Sequence, residues 1–457
     1  MYDLIIIGAG PAGSAAAEAA RAAGAEKVAV VEAAKRLGGE CPNWGCIPTK
    51  SLLRSAEILR LARRAKEFGL RVPEADIDFD AAMRRKRLAV DRLTGRQRIE
   101  NIFKQLDVDI LRGAARFVGP DEIEIGRERH RAKSFIVASG SEQFVPPIAG
   151  LSAVGYLTSS DIMRMVRPPE SVLIMGGGPI GCELADILDA MGTRVTIVEA
   201  APHLLSREEP EMSLFVEAAF RREGIMVLTG TKVESVAQSG KSVIAETSVS
   251  GSGAIKKLKA ATILVAVGKR PALAKLNLAA AGVELDERGR PKLNAFLGST
   301  NEKIYFAGDA VGQLMYTNVA HEMGLIAAQN VIAGTGLKWD PERVVTRGTY
   351  CTPEVGSVGL TEREARERGY EVAVGTAPYG ACGKSIATGE SGLIKVIVDR
   401  KTGLILGGHI VGPAAAESVH ELALAIHAKI TAATAASMIY AFPTYTECVR
   451  AALMSIV

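Results

Sequence analysis

No apolar run in this 457-residue sequence is long enough to cross a membrane. The uncharged, apolar-leaning stretch Leu4–Ala17 is broken by glycines and falls short of the ~20 residues a spanning helix needs. The basic start of an export signal is also missing, since Asp3 precedes that stretch and no Lys or Arg does; a cytoplasmic protein is predicted. Charge of one sign is scarce: 55 Lys and Arg against 51 Asp and Glu leave a net +4, which supplies no footprint for nucleic acid. Short-period repeats and low-complexity tracts are absent. Six cysteines are too few for a disulfide scaffold. In a chain without an export signal, a close cysteine pair points instead to catalysis or metal binding. The composition, 48% hydrophobic and 23% charged, is that of a globular protein and excludes a disordered or fibrous one. At about 100–200 residues per domain, the length suggests two to four domains.

What is present begins with a long-range echo. The apolar run Leu4–Ile7 leads into Gly8-Ala9-Gly10-Pro11-Ala12-Gly13, and Val172–Met175 leads into Gly176-Gly177-Gly178-Pro179-Ile180-Gly181. Each run reads as a buried parallel strand followed by a helix, Ser14–Ala23 or Glu183–Met191. Each helix is followed by a β-branched strand, Val28–Val31 or Arg194–Val198, and then by an acid, Glu32 or Glu199. One glycine triplet of this kind is weak evidence; two, each between strand and helix with an acid about 20 residues on, are strong. The first glycine makes the tight turn, the second admits a pyrophosphate, the third lets helix and strand pack, and the helix N-terminus faces the phosphates. The acid accepts hydrogen bonds from an adenosine ribose. Two such sites imply two dinucleotides, a bound flavin and a diffusing nicotinamide. Glu199 would repel a 2′-phosphate, and no Arg directly follows it, which favours NAD(H) over NADP(H).

Between Gly38 and Lys50 lies the most informative stretch, Gly38-Gly39-Glu40-Cys41-Pro42-Asn43-Trp44-Gly45-Cys46-Ile47-Pro48-Thr49-Lys50. Cysteines five apart on a straight helix are too distant to bridge, so a disulfide here needs a distorted turn. Pro42 and Gly45 can supply one, and Pro48 suits the first turn of the following helix. A cysteine at such a helix start has a lowered pKa. Metal pairs use two to four intervening residues and a second pair elsewhere. Cys182, Cys351, Cys382 and Cys448 look scattered, so a redox disulfide is favoured over a structural disulfide or a metal site. Cys382, placed in a loop between strands, and Cys448 are expected to be inert thiols, and His409 a structural histidine.

Helices are predicted over Cys46–Phe68 and from Phe79 to about Leu106. The second carries Arg84, Arg85, Lys86, Arg87, Arg92, Arg96 and Arg98. That row is a solvated face on the plain reading and a docking surface for an acidic partner on the sharper one. A linker begins after Pro146-Pro147. A strand over Asn301–Asp309 ends in Gly308-Asp309. The last section holds strands Thr349–Val358, Gly392–Asp399 and Leu404–Val411, helices Ala414–Ala428 and Ala432–Met438, and a final helix from Glu447.

With these motifs the chain resembles the class I pyridine nucleotide-disulfide oxidoreductases over essentially its whole length. The redox motif, both nucleotide motifs, Ser139-Gly140-Ser141, Val267-Gly268-Lys269-Arg270-Pro271 and the strand into Asp309 follow the family's order. His409-Ile410-Val411-Gly412-Pro413 and Ala320-His321 look most like its lipoamide dehydrogenases. The resemblance implies an α/β fold: two Rossmann-like dinucleotide-binding domains plus a C-terminal α+β dimerisation domain. The sections would be residues 1–147 (FAD), 148–267 (NAD), 268–340 (FAD, second part) and 341–457 (dimerisation). Gly8, Gly10, Gly13, Glu32, Ala115, Ser139, Gly140, Asp309, Ala320 and His321 would hold FAD. Gly176, Gly178, Gly181, Glu199, Val233 and Gly268 would hold NAD(H). Cys46 would be the thiolate facing the flavin, and Cys41 the thiol that exchanges with substrate. Lys50 would lie by the flavin and pair with Glu183. No metal is implied. The partners would be a second copy of the chain and an acidic lipoyl-carrying protein, with no nucleic acid and no membrane span.

One departure matters. The family's disulfide reductases carry a histidine five residues before a glutamate near the C-terminus, and that histidine moves the substrate's proton. Here the run is Ala441-Phe442-Pro443-Thr444-Tyr445-Thr446-Glu447, with Phe442 in the histidine's place. Loss of a general base costs about 10²–10⁴ in rate. Tyr445 and Glu447 are the candidate substitutes if the substrate is a dithiol. An acceptor needing no base (a metal ion, a quinone, oxygen or a persulfide), or a redox sensor, is the alternative.

Overall fold

The computed structural model describes every residue except Arg96, Arg343 and Val457. The chain folds into two compact units, one of residues Met1–Ser51, Met83–Phe144 and Gly268–Arg343, the other of Leu52–Ala82, Val145–Val267 and Val344–Val457.

The first unit is built on strand Tyr2–Ile7, whose residues Leu4–Ile7 are buried. Burial on both faces suits an unbroken aliphatic run in a parallel sheet. The parallel order is Val108–Arg112, Val28–Glu32, Tyr2–Ile7, Glu128–Val137, Ile304–Phe306. Strands Glu122–Ile125 and Ala115–Gly119 continue it antiparallel from Glu128–Val137. Two helices, Pro11–Ala22 and Thr317–Ala333, lie against each other at close range. A Cβ on Gly324 would stand 2.2 Å from the Ala12 carbonyl oxygen, so only glycine allows that approach.

The second unit repeats the theme. Strands Met226–Leu228, Arg194–Val198, Ser171–Met175 and Thr262–Val265 form a parallel sheet in that order. An antiparallel meander of Thr231–Ser239, Ser242–Val249 and Ile255–Ala260 accompanies it. The C-terminal residues form a five-stranded antiparallel sheet ordered Thr346–Thr349, Val355–Gly359, Ile405–Val411, Leu393–Asp399, Val372–Pro378. Helices Ala415–His427 and Glu447–Met454 contribute to its apolar core. The fold class implied by the resemblance is the one observed.

Several local expectations need correction. The strand read over Thr349–Val358 is a hairpin, Thr346–Thr349 and Val355–Gly359, turning through Pro353, which has no N–H for a ladder. The long basic helix breaks into Phe79–Thr94 and Arg98–Gln105 at Gly95 and Gln97, the latter at φ +57°. Of its basic row, Arg84, Arg85, Arg87, Arg92 and Arg98 are exposed, whereas Lys86 is buried and burial, then Arg87, lowers its pKa. Arg96 lies outside the described residues. Cys382 does lie in the connection between strands Val372–Pro378 and Leu393–Asp399, and there it stands between a 3-10 turn, Tyr379–Ala381, and a short helix, Gly383–Thr388. It is not an inert thiol: Cys382 and Cys448 are joined by a disulfide. The spacing hid the pair because 66 residues separate it. His409 is buried in a strand with Nε2 3.1 Å from the Leu360 carbonyl, a structural histidine as expected.

Two buried cations of the second unit sit in networks of carboxylates. Arg60 pairs with Asp186, Asp189 (3.2 Å) and Glu223 (3.4 Å). Lys395, 3% exposed, meets Glu209 and Glu211 at 2.8 Å and Glu362 at 3.0 Å. Burial pushes Asp186 up to about 6 against the pull of Arg60 and the Thr352 N–H. Removing one partner of a buried pair strands the other. Arg60→Ala is therefore expected to cost about 3–5 kcal/mol, read from denaturant midpoints. Because Asp186 titrates higher folded than its ordinary 3.8, the native state binds its proton first. Its contribution thus falls as pH rises from ~4 to ~6, and Asp186→Asn should flatten stability across that window.

Candidate active site

The two glycine turns divide their labour as sterics require. Gly8 and Gly176 sit at φ +113° and +106°, and a Cβ on either would lie 2.2 or 2.5 Å from the carbonyl of Ala138 or Ala266. Gly13 and Gly181 could not carry a Cβ either, since it would be 1.8 or 2.0 Å from the Gly8 or Gly176 oxygen. The middle glycines differ. A Cβ on Gly10 would find only Gly39 Cα, at 3.7 Å, and one on Gly178 would find nothing within 4 Å. Beyond them the helices start at Pro11 and Pro179, with Gly10 and Gly178 as N-caps. The empty side of each middle glycine, at a helix N-terminus, is where a pyrophosphate fits.

Each acid clasps its own turn. Glu32 accepts the Ala9 N–H at 3.1 Å and the Ala34 N–H at 2.8 Å; Glu199 accepts the Gly177 N–H at 2.6 Å and the Ala201 N–H at 2.7 Å. The spacing pointed to a ribose; the geometry adds that the same carboxylates satisfy backbone donors of the glycine loop.

The remaining residues expected at the flavin converge partly. The Cβ position of Gly8 lies 3.3 Å from Ser139 Cα, and that of Gly308 lies 3.0 and 3.1 Å from the Ala12 and Ala320 Cβ atoms. Ser139 Oγ is buried and has no hydrogen-bond partner among the described residues. An orphaned hydroxyl beside an open glycine turn fits a polar cofactor. Gly140, at φ +76°, has open space where a Cβ would be. Asp309 accepts the Ser141 hydroxyl at 2.6 Å, and burial raises its pKa. Ala115 is buried at the start of its strand, whereas His321 is exposed on helix Thr317–Ala333. Gly268, at φ +122°, belongs to the first unit, and its carbonyl accepts the Phe144 N–H at 3.0 Å and the Gln143 amide at 2.9 Å. Gly176, Gly178, Gly181, Glu199 and Val233 belong to the second, with Val233 at a bulge opposite Thr247.

The cysteine loop is a broken helix. A turn over Glu40–Asn43 stops at Trp44 and Gly45, and a new helix, Cys46–Arg63, starts at the second cysteine. Gly45 donates to Glu40 O at 2.8 Å, and a Cβ there would be 3.3 Å from Cys41 Cα. Asn43 ties the loop down by donating to Leu37 O at 2.9 Å and Gly39 O at 2.8 Å. Lys269 forms an ion pair with Glu40. Cys41 and Cys46 are separate, half-buried thiols. Cys46 Sγ lies 3.6 Å from the Thr317 hydroxyl, at the first residue of helix Thr317–Ala333. The Cys41 pKa is raised well above the ordinary thiol value. Its S–H donates to Cys46, burial adds to that, and Thr317 and Lys50 pull the other way. Cys41 thus keeps its proton, and any charge on the reduced pair resides on Cys46.

Sequence reasoning missed Thr317, Lys269 and Asn43. Lys269 and Asn43 stood in quoted motifs without a role, and Thr317 carries no local signal. Lys50 is half-buried in the first unit; Glu183, in the second, accepts the Tyr350 N–H at 3.0 Å.

At the C-terminus the substitutes for the absent base are engaged elsewhere. The Tyr445 ring stacks on Tyr379 (5.3 Å, 19°), and its hydroxyl meets the Thr388 hydroxyl at 3.1 Å. Glu447 accepts the Thr444 N–H at 3.0 Å, which replaces the partner it would have had in histidine. Phe442 is 78% exposed. Among the described residues no three His, Cys, Asp or Glu side chains gather as a metal set, and no helix is long and apolar enough to cross a membrane.

The glycine geometry separates two outcomes. Gly13→Ala and Gly181→Ala are expected to fail in folding, because the new Cβ meets backbone. Gly10→Ala and Gly178→Ala should fold and instead weaken the flavin and the NADH, respectively. Thermal melts with flavin content and KM for NADH check both.

Comparison with known proteins agrees with this architecture. Residues 2–324 match the pyridine nucleotide-disulphide oxidoreductase family, and residues 345–453 match its dimerisation domain. A dihydrolipoyl dehydrogenase of Thermus scotoductus is 39% identical over 98% of this chain and 95% of its own length. A mercuric reductase of Bacillus cereus is 33% identical over 99% of this chain and 71% of its own. The HOCl-induced flavoprotein disulfide reductase RclA of Escherichia coli superposes with a TM-score of 0.86 at 27% identity, covering both chains fully. The chain belongs to the pyridine nucleotide-disulfide oxidoreductases, and it is an FAD-dependent, NAD(H)-using homodimeric enzyme with a redox-active cysteine pair.

Proposed function

We propose that this enzyme oxidises a lipoyl-type dithiol with NAD⁺. The observation that carries the reading is the asymmetric thiol pair, with the proton held on Cys41 and Thr317 against Cys46. When bound, FAD relays an electron pair between the thiol pair and the nicotinamide. The chain's own residues do the rest. A substrate thiolate attacks Cys41 Sγ of the Cys41–Cys46 disulfide, and Cys46 leaves as a thiolate stabilised by the Thr317 hydroxyl and a helix N-terminus. The second substrate thiol closes the substrate disulfide and releases Cys41, which takes a proton and donates it toward Cys46. Gly8, Gly10, Gly13, Glu32, Ala115, Ser139, Gly140, Asp309, Ala320 and His321 hold FAD in this reading. Gly176, Gly178, Gly181, Glu199, Val233 and Gly268 hold NAD(H). Lys50 supplies positive charge where the reduced isoalloxazine would carry negative charge. The exposed Arg84, Arg85, Arg87, Arg92 and Arg98 offer a face to an acidic lipoyl-carrying protein. The cytoplasm is the location this reading assigns to the enzyme.

Phe442 favours a second reading, in which the acceptor is a metal ion, a quinone or a persulfide and needs no base. Oxygen-free titration separates the two. If dihydrolipoamide raises the long-wavelength thiolate–flavin band within seconds, the dithiol reading stands. If NADH raises it and dihydrolipoamide does not, the dithiol reading is wrong. With no imidazole at position 442, dithiol turnover should climb with pH toward the thiol range, about 8.5. Phe442→His should raise kcat/KM at pH 7 about tenfold or more and shift the profile toward neutrality.

A further inference from the structure

The Cys382–Cys448 disulfide plays no part in the chemistry above. Both sulfurs are buried, and the Cα atoms lie 5.8 Å apart. Cys382 immediately precedes helix Gly383–Thr388, and Cys448 is the second residue of helix Glu447–Met454. Between them hangs the segment that carries Phe442 and Glu447. A Cβ on Gly383 would touch the Phe442 ring at 3.3 Å. The Tyr445 hydroxyl meets Thr388 on the same short helix. The Cys448 N–H donates to the Tyr445 carbonyl at 3.1 Å. These contacts between residues 442–447 and helix Gly383–Thr388 lie within about six residues of either end of this bond.

We propose that the Cys382–Cys448 disulfide is a positioning element of the C-terminal segment that carries Phe442 and Glu447. It holds Phe442–Glu447 against helix Gly383–Thr388, and a dithiol that opens it lets the segment go. Opening is ordinary exchange: one thiolate of the dithiol attacks a sulfur of the bond and displaces the other as a thiolate. The second thiol then closes on the mixed disulfide, so two electrons and two protons pass to the protein and the dithiol becomes a cyclic disulfide. The opened form has acceptors waiting, since Cys448 Sγ lies 3.9 Å from the Pro378 oxygen and 3.8 Å from the Tyr379 oxygen. Neither state strands a buried donor at Cys448, which a switchable bond requires. The proposal rests on the dithiol reading only where turnover is concerned.

The test has three parts. Protein isolated with its thiols blocked and digested without reductant should yield one linked peptide pair containing Cys382 and Cys448; both cysteines recovered alkylated would overturn the proposal. The Cys382→Ser/Cys448→Ser variant should keep its NADH–ferricyanide turnover, lose about tenfold or more in kcat for dihydrolipoamide, as misplacement of a positioned group does, and exchange amide hydrogens faster at residues 440–447. Unchanged exchange there counts against the clamp. If the variant does not fold, wild-type hydrogen exchange before and after dithiothreitol decides: faster exchange at residues 440–447 supports the clamp, and no change refutes it. A wild type that ignores dihydrolipoamide refutes the substrate assignment, while the peptide and exchange results still judge the clamp.

Discussion

Gly39 is the residue on which the site is built. At φ +68°, it presses its backbone against Gly10, and a Cβ on it would stand 2.7 Å from Gly10 Cα. Gly38 donates to the Ala9 carbonyl at 2.9 Å in the same contact. The cysteine loop thereby lies directly against the nucleotide turn, with no side chain between. Electron transfer between a thiol and a bound flavin depends on such proximity. Asn43, the Lys269–Glu40 pair and the Thr317 hydroxyl then hold the loop's direction from three sides.

Electrostatics in the thiol pair follow from that placement. Two thiols held together in a half-buried loop share a proton, and hydrogen bonding decides which keeps it. Cys41 keeps it because its S–H reaches Cys46, while Cys46 faces a hydroxyl at the start of a long helix. The division of labour between a nucleophile-exchange sulfur and a charge-bearing sulfur thus rests on neighbours rather than on the cysteines. Structural networks around Arg60 and Lys395 show the same chemistry used for architecture, with each buried cation matched by carboxylates.

Much of this was legible in the sequence. The strand–glycine turn–helix–acid echo placed both dinucleotide units and their glycines, because period, turn chemistry and helix start are local properties written within about 30 residues. The broken helix at Cys41–Cys46 followed from Pro42 and Gly45, and the absence of histidine at 442 was plain. The errors share a cause. Lys86 looked like one more surface cation. Cys382 and Cys448 looked unrelated. Each depends on which distant residue lies alongside.

The sequence by itself determined the fold class, the two nucleotide turns and the thiol motif, since those follow from short-range backbone constraints. Tertiary structure alone decided that Thr317 meets Cys46, that Glu32 and Glu199 clasp their own loops, that Glu447 settles on Thr444 N–H, and that Cys382 bonds Cys448. These are contacts between side chains and backbone groups brought together by packing. Their geometry, a few ångströms across gaps of up to hundreds of residues, leaves no trace in spacing or composition.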